Sequence, residues 1–135
     1  METLGIDVGF GFTKASNGYE RVLFKSLIGD YTDIHFRSEL EEPSSTKNLQ
    51  VTIEDKSYFV GDLAEQQSSF RQFTLNQNQL LEDFAQVLAL TAAGLCAEDN
   101  QSLNIVSGLP VTYFKQDAKK FKNILTGYHQ VTFHN

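Results

Sequence analysis

The hydrophobic periodicity of the chain changes along its length, and this change constrains the fold more than any other feature. Residues 3–26 and 49–60 alternate apolar and polar positions in short runs separated by turn residues, which is typical of antiparallel strands. From about residue 78 onward, helical spacing alternates with strand spacing. The order β-β-β, a small β-hairpin insert, then α-β-α-β predicts an α/β fold, a mixed sheet with helices packed on it.

Three strands are expected at the start of the chain. The first ends at Gly9, and a Gly-Phe-Gly turn leads into the second. Asn17-Gly18 then joins the second strand to the third, because both residues tolerate the positive φ of a type I′ hairpin turn. The predicted strands cover residues 3–8, 12–15 and 21–26.

The middle of the chain, at about residues 29–75, is predicted to be an insert. Residues 29–47 are acidic and polar without a steady period, so we expect a surface excursion with at most a short strand over 34–37. The other predicted elements are a hairpin with strands over 49–53 and 58–60, turning at Asp55-Lys56, and a short helix capped by Asp62.

Two helices follow the insert. The first, over about 78–97, has small or apolar residues on several faces, so we expect it to be covered on more than one side. The second, over about 115–125, turns Phe121 inward and its lysines outward, and Gly127 suits the position after its end. The strands expected beside these helices cover residues 103–106 and 128–134.

Composition excludes some classes of function. The 135 residues suffice for one domain or for half of a two-domain protein. Lys plus Arg total 11 against 17 Asp plus Glu, a formal charge of −6. This balance argues against a surface devoted to nucleic acid, which needs concentrated basic side chains.

The lone cysteine, Cys96, lies in an apolar run and can form no intrachain disulfide, so a reducing compartment fits best. We interpret it as a buried structural thiol, because the histidines show no metal-ligand spacing with it. The sequence shows neither a signal peptide nor an apolar stretch long enough to span a bilayer. We therefore expect a cytoplasmic protein with no membrane partner.

The segment that carries chemistry is Ile6-Asp7-Val8-Gly9-Phe10-Gly11-Phe12-Thr13-Lys14. A strand delivers a carboxylate at its end, two glycines form a turn, and a lysine follows on the return strand. Glycines let backbone N–H groups converge on an anion, because no Cβ blocks the approach. Lys14 adds positive charge for phosphate oxygens, and Asp7 can hold the water molecules around Mg²⁺. The pattern predicts a phosphate-binding hairpin, with a plain hairpin turn as the alternative.

Two commoner phosphate loops do not fit this segment. A Walker A loop needs Gly-Lys-Ser/Thr at the start of a helix, whereas Gly11 is followed by Phe12-Thr13-Lys14. A dinucleotide-binding fingerprint needs a third glycine where Lys14 stands, and then a helix. The next element predicted here is a strand.

Residues 6–14 resemble the first phosphate motif of the actin-like ATPases, within the actin, sugar kinase and heat-shock-protein ATPase superfamily. Residues 58–64 and 106–114 are similar to stretches of the ParM/StbA-like plasmid-segregation proteins, and the order of all three segments agrees with that family's N-terminal domain. The resemblance implies a ribonuclease H-like actin ATPase domain with a mixed sheet of the five-stranded type. It assigns residues 1–135 to domain I, with the second nucleotide-binding domain absent.

The resemblance also implies ATP and Mg²⁺ as cofactors. The main-chain amides of Phe10, Gly11 and Phe12 would face the β- and γ-phosphates, Lys14 would contact phosphate oxygens, and Asp7 would lie near the metal, with water between. The full set of expected cofactor-binding residues is Asp7, Gly9, Phe10, Gly11, Phe12, Thr13 and Lys14. No catalytic residue is assigned, and we expect negligible ATPase activity from this chain alone, because phosphoryl transfer needs charge stabilisation from both domains.

Three functions stay open at this point. The first is the N-terminal half of an actin-like protein that forms nucleotide-dependent filaments with itself and moves plasmid DNA through an adaptor protein, with residues 29–47 as a candidate filament contact. The second is a superfamily enzyme that phosphorylates or activates a small substrate. The third is a binding module without a nucleotide, in which Gly9 and Gly11 only shape a turn.

Overall fold

A computed structural model describes residues 2–9, 11–30, 49–61, 71–72, 77–108 and 111–134 of the chain. These residues form nine strands and two helices. The strands Ile28–Asp30 and Arg71–Gln72 were not predicted, and the first of them reaches into the stretch expected to be an irregular excursion. The strands are β1 Glu2–Val8, β2 Phe12–Ser16, β3 Arg21–Lys25, β4 Ile28–Asp30, β5 Leu49–Ile53, β6 Lys56–Val60, β7 Arg71–Gln72, β8 Leu103–Gly108 and β9 Val131–His134. The helices are α1 Gln77–Cys96 and α2 Val111–Leu125.

The first sheet has the strand order β3-β2-β1-β8. The pairs β1–β2 and β2–β3 are antiparallel, whereas β8 runs parallel to β1. Successive side chains of a strand point to opposite faces. In β1, Leu4, Ile6 and Val8 are therefore buried on one face, while Asp7 is exposed on the other.

Helix α1 covers the buried face of the first sheet. It packs against β1, β2 and β3, and the side chains of Phe84 and Leu88 are fully buried. Complete burial of a side chain such as that of Phe84 stabilises a fold by about 1.5–3 kcal/mol. Ala85 and Ala92, on neighbouring faces of the helix, are buried as well. The prediction that this helix is covered on more than one side is confirmed.

Helix α2 packs against α1 at the far side of the core. Phe121 is buried, as its helical spacing predicts, and Gln86 Nε2 of α1 donates to the Ile124 carbonyl at 3.0 Å. The helix begins at Val111 rather than at the expected Lys115. Gly127 beyond its end has a φ of +109°, a conformation that favours glycine, so the predicted C′ role is confirmed.

The second sheet has the order β7-β4-β6-β5-β9, with antiparallel pairing throughout. The mixed α/β prediction is confirmed, but β9 lies in this second sheet, so among the described residues the first sheet has four strands rather than five. Besides the β5–β9 pairing, two contacts between segments distant in sequence hold β9 in the second sheet. The N–H of Glu54 donates to the Gln130 carbonyl at 3.0 Å, and Gly94 of α1 leaves room for the Phe133 ring.

The predicted type I′ turn at Asn17-Gly18 is wrong. Gly18 has a φ of +94°, but Asn17 does not have a positive φ. The Asn17 side chain shapes the turn instead, because its Oδ1 accepts from the N–H groups of Tyr19 at 2.9 Å and Glu20 at 2.7 Å. The β5–β6 hairpin also differs by one position, since it turns at Glu54-Asp55, where Glu54 has a φ of 57°.

The interpretation of Cys96 as a buried structural thiol is confirmed. Burial raises the pKa of this thiol, so it stays protonated at neutral pH and is a poor nucleophile. The expected strand at 34–37 and the expected helix at Asp62 lie outside the described residues. Within the described part of the chain, neither helix has the length and apolar character that crossing a membrane requires.

Candidate phosphate-binding site

The segment predicted to bind phosphate lies where β1 turns into β2. Asp7 of β1 stands opposite Lys14 of β2 on one side and opposite Gly108 of β8 on the other. Both charged side chains are exposed, on the face that α1 leaves open, because their strand neighbours Val8 and Thr13 are buried. The structure thus brings the carboxylate and the ammonium to adjacent strands of one sheet face.

The two glycines have different roles in the turn. The N–H of Gly9 donates to the Phe12 carbonyl at 3.0 Å, and a Cβ added to Gly9 would stand 3.0 Å from that same oxygen. A Cβ added to Gly11 would meet no atom within 4 Å, and no carbonyl among the described residues accepts from the Gly11 N–H. Gly9 therefore closes the turn tightly, whereas the Gly11 N–H has no carbonyl acceptor among the described residues and its missing side chain meets none of them beyond its chain neighbours.

Ser26, the residue after β3, makes one hydrogen bond to this turn and one to the strand that follows it. Its N–H donates to the Gly11 carbonyl at 2.9 Å, and its hydroxyl lies 2.9 Å from the hydroxyl of Thr13. The Thr13 side chain is 0% exposed and faces Ser26 rather than the open side. Because the whole residue is buried and its hydroxyl faces Ser26, the structure does not place Thr13 toward a ligand on the open face, contrary to the prediction.

Two other predicted residues are exposed, and a third is not described. Phe12 is 47% exposed, and Gly11 is exposed at the tip of the turn. Phe10 lies outside the described residues.

An open groove of about 610 Å³ crosses the exposed face of the first sheet and includes Asp7 and Lys14. The next row of residues places Arg21 on the same face, so two cations and one carboxylate line the groove. Leu23, 53% exposed, and Val106, 61% exposed, form apolar parts of its wall. The turn therefore adjoins a mostly apolar groove that carries two cations and one carboxylate.

The donor set around Asp7 fits a weakly held magnesium ion. Within the described residues, no cluster of three or more His, Cys, Asp or Glu side chains could enclose a metal. Mg²⁺ keeps several waters and commonly takes one or two carboxylates together with substrate phosphates. A single exposed carboxylate next to an open glycine turn matches that preference.

Sequence reasoning missed Ser26 and Arg21 as members of this site. Neither carries a local signal: Ser26 looks like an ordinary strand end, and Arg21 looks like an exposed charge on an edge strand. Only the strand register, which pairs Ser16 with Arg21 and Phe12 with Lys25, places them beside the turn and the groove.

A family profile described as the N-terminal domain of actin-like proteins matches residues 5–135. The chain belongs to this family. The resemblance that residues 6–14, 58–64 and 106–114 carry is thereby confirmed, and so is the actin-like fold class. No curated protein matches the chain significantly.

Solved structures of ParM proteins share the fold of this actin-like domain. A 15-stranded ParM filament from Clostridium botulinum is 28% identical, with a TM-score of 0.74 over 98% of this chain and 42% of that one. Bacillus thuringiensis ParM with AMPPNP is 20% identical, with a TM-score of 0.73 over 100% of this chain and 40% of that one. The chain thus spans about two-fifths of the length of the ParM chains that it matches.

Proposed function

We propose that the β1–β2 turn binds the phosphates of ATP, in the N-terminal domain of an actin-like protein that forms nucleotide-dependent filaments. The observation that carries this proposal is the position of Asp7 and Lys14 on one exposed sheet face, beside a glycine turn whose Gly11 N–H donates to no carbonyl of the described residues. A turn that only reversed the chain would need neither the two charges nor such an amide.

The chain's own residues would divide the work of binding. The amides of Phe10, Gly11 and Phe12 would donate to the β- and γ-phosphates, and Lys14 would add a positive charge to phosphate oxygens. Asp7 would orient the water molecules of Mg²⁺, which supplies charge neutralisation to the phosphates when it is bound. Gly9 would keep the turn closed at its base.

The filament part of the proposal draws on the fold neighbours. The Clostridium botulinum ParM is a filament, and the Bacillus thuringiensis ParM binds AMPPNP. Because this chain spans about two-fifths of such proteins, we assign ATP turnover and self-association to a whole protein in which a second nucleotide-binding domain faces this one. Plasmid or other DNA would be its cargo through an adaptor, in keeping with the net charge of −6, and the cytoplasm its compartment.

Titration of the ¹⁵N-labelled chain with Mg·ATP tests the binding site. We expect saturable shifts of the Gly9, Gly11 and Phe12 amides, and we expect Lys14→Ala to weaken binding about tenfold through loss of a charge-assisted contact. Lys119→Ala, which removes an exposed lysine of α2, is the matched control and should bind as the wild type does. Equal affinity of the two variants, or shifts confined to other residues, would contradict this binding site, and an absence of saturable shifts would favour a module without a nucleotide.

Sedimentation of the whole protein tests the filament. A filament-forming protein should enter the pellet with Mg·ATP and return to the supernatant when the nucleotide is removed. An enzyme of the superfamily that acts on a small substrate would stay in the supernatant under both conditions.

A further inference from the structure

We propose that Ser26 is a positioning residue for the phosphate turn, acting on it through Gly11 and Thr13. It would touch no ligand itself, and it would set the direction of the peptide that follows Gly11. The inference rests on the proposed function of this turn and names a residue that acts on the turn from the buried side of the sheet.

The main-chain contact of Ser26 fixes one peptide plane. The Gly11 carbonyl and the Phe12 N–H belong to the same planar unit and point in opposite directions. The Ser26 N–H holds that carbonyl at 2.9 Å. The Phe12 N–H is therefore directed away from Ser26 and β3.

The side-chain contact holds Ser26 in place. The hydroxyls of Ser26 and Thr13 lie 2.9 Å apart, and the two residues are 1% and 0% exposed. A buried hydroxyl without a partner is costly, and here each hydroxyl is the partner of the other. The last paired residues of β2 and β3 are Phe12 and Lys25, and the bond from the Ser26 N–H to the Gly11 carbonyl is the final bond of this ladder, so the buried hydroxyl pair lies where the two strands end.

Thr91 supplies a control within the same chain. It is also 0% exposed and lies on α1, but its hydroxyl has no hydrogen-bond partner among the described residues. Thr→Val is nearly isosteric, so Thr13→Val and Thr91→Val make the same chemical change at a paired and at an unpaired hydroxyl. A difference between the two variants therefore reports the pair with Ser26 rather than the loss of a buried hydroxyl in general.

The first measurement needs no ligand. In the ¹⁵N-labelled chain, we expect Thr13→Val and Ser26→Ala each to move the amide resonances of Gly11 and Phe12 and to speed hydrogen exchange of the Ser26 N–H. Thr13→Ser, which keeps the hydroxyl, should restore both readouts, and Thr91→Val should leave both unchanged. If Thr13→Val and Thr91→Val leave the turn amides equally unmoved, the proposal is wrong.

The second measurement is the affinity for Mg·ATP. We expect Thr13→Val to weaken binding about tenfold, the equivalent of one hydrogen bond, with recovery in Thr13→Ser. Val51→Ala, a cavity in the second sheet, should lower stability and leave the affinity unchanged. If the affinity for Mg·ATP falls in proportion to the free energy of unfolding across all these variants, the positioning role is wrong.

The double variant Thr13→Val/Ser26→Ala guards against a single variant that does not fold. Removal of both hydroxyls leaves no orphaned partner, so the double variant should be less destabilised than the sum of the singles. Additive losses would contradict the pairing. If the wild-type chain shows no Mg·ATP shifts, the proposed function fails, while the ligand-free amide measurements still decide the role of Ser26.

Discussion

Strand β2 is bounded by two turns that satisfy their backbone groups in different ways. In the turn after β2, the Asn17 side chain accepts from the N–H groups of Tyr19 and Glu20. In the turn before β2, Gly11 has no side chain, and the support comes from Ser26 on a neighbouring segment. The first arrangement is complete within four consecutive residues, and the second depends on residues distant in sequence.

The difference shows what makes a turn available to a ligand. Where a side chain of the turn accepts from the turn's own N–H groups, as Asn17 does, those groups are already used. Where the support holds a carbonyl instead, as Ser26 holds that of Gly11, it leaves the Gly11 N–H unused by any described carbonyl, although the Gly9 N–H of the same turn donates to Phe12. We therefore expect substitutions in the Asn17 turn to change stability, and substitutions in the Gly11 turn to change ligand affinity.

The largest expected effect is that of Gly11→Val on nucleotide affinity. The new side chain would enter open space without a clash, so the free energy of unfolding should stay close to that of the wild type. It would occupy the approach to the turn amides and lower the affinity for Mg·ATP about a hundredfold. Isothermal titration and urea unfolding on the same preparations separate the two quantities.

Gly18→Ala is the matched control for that variant. Because Gly18 has a φ of +94°, a side chain there is strained and should cost about 1 kcal/mol of unfolding free energy. Its affinity for Mg·ATP should equal that of the wild type. A loss of unfolding free energy in Gly11→Val, or a loss of affinity for Mg·ATP in Gly18→Ala, would contradict the difference proposed between the two turns.

A smaller effect is expected for Asn17→Ala. Two N–H groups lose their acceptor, and because both are exposed, water replaces part of what is lost. We expect the free energy of unfolding to fall by about 1 kcal/mol, with Asn17→Asp close to the wild type. Urea denaturation checks this, and an unchanged midpoint for Asn17→Ala would show that the side chain does not hold the turn.

The smallest effect is a loss of stability at alkaline pH that Cys96 causes. Burial raises the pKa of its thiol above 9.0, and the charges of Glu20, in the Asn17 turn, and Glu2 raise it further. The unfolded thiol then ionises first, so stability is present below about pH 9 and is lost as the pH rises above it. We expect a loss of a few tenths of a kcal/mol near pH 9.

Cys96→Ala should remove this alkaline slope, and Glu20→Gln should shift it slightly to lower pH. Iodoacetamide should alkylate Cys96 in the folded chain only slowly at neutral pH. Rapid alkylation without unfolding would show that the thiol is accessible, and the pH prediction would then fail.

Local patterns were sufficient for both helices, for seven of the nine described strands and for the polar face of the site, but not for β4 or β7. Alternation within residues 3–15 predicts that Asp7 and Lys14 lie on adjacent strands, and helical spacing predicts the burial of Phe84 and Phe121. These features depend on neighbours in sequence. The chemistry of a Gly-Phe-Gly turn likewise follows from the residues alone.

Features that depend on distant segments could not be predicted. The sheet that β9 joins is set by contacts with Glu54 and Gly94, and nothing in residues 131–134 specifies either. The Asn17 turn was predicted from backbone tolerance, whereas the side-chain oxygen determines it. The contact of Ser26 with Gly11 requires the β2–β3 register, which single residues do not reveal.

The bend after β3 also joins the two sheets. Ser26 is bonded to Gly11 in the first sheet, and the carbonyl of the next residue, Leu27, accepts from the Gly61 N–H of the second sheet at 2.9 Å. The residue bonded to the phosphate turn and the residue bonded to the second sheet are thus adjacent in sequence. A shift of this bend would therefore strain a hydrogen bond to each sheet at once.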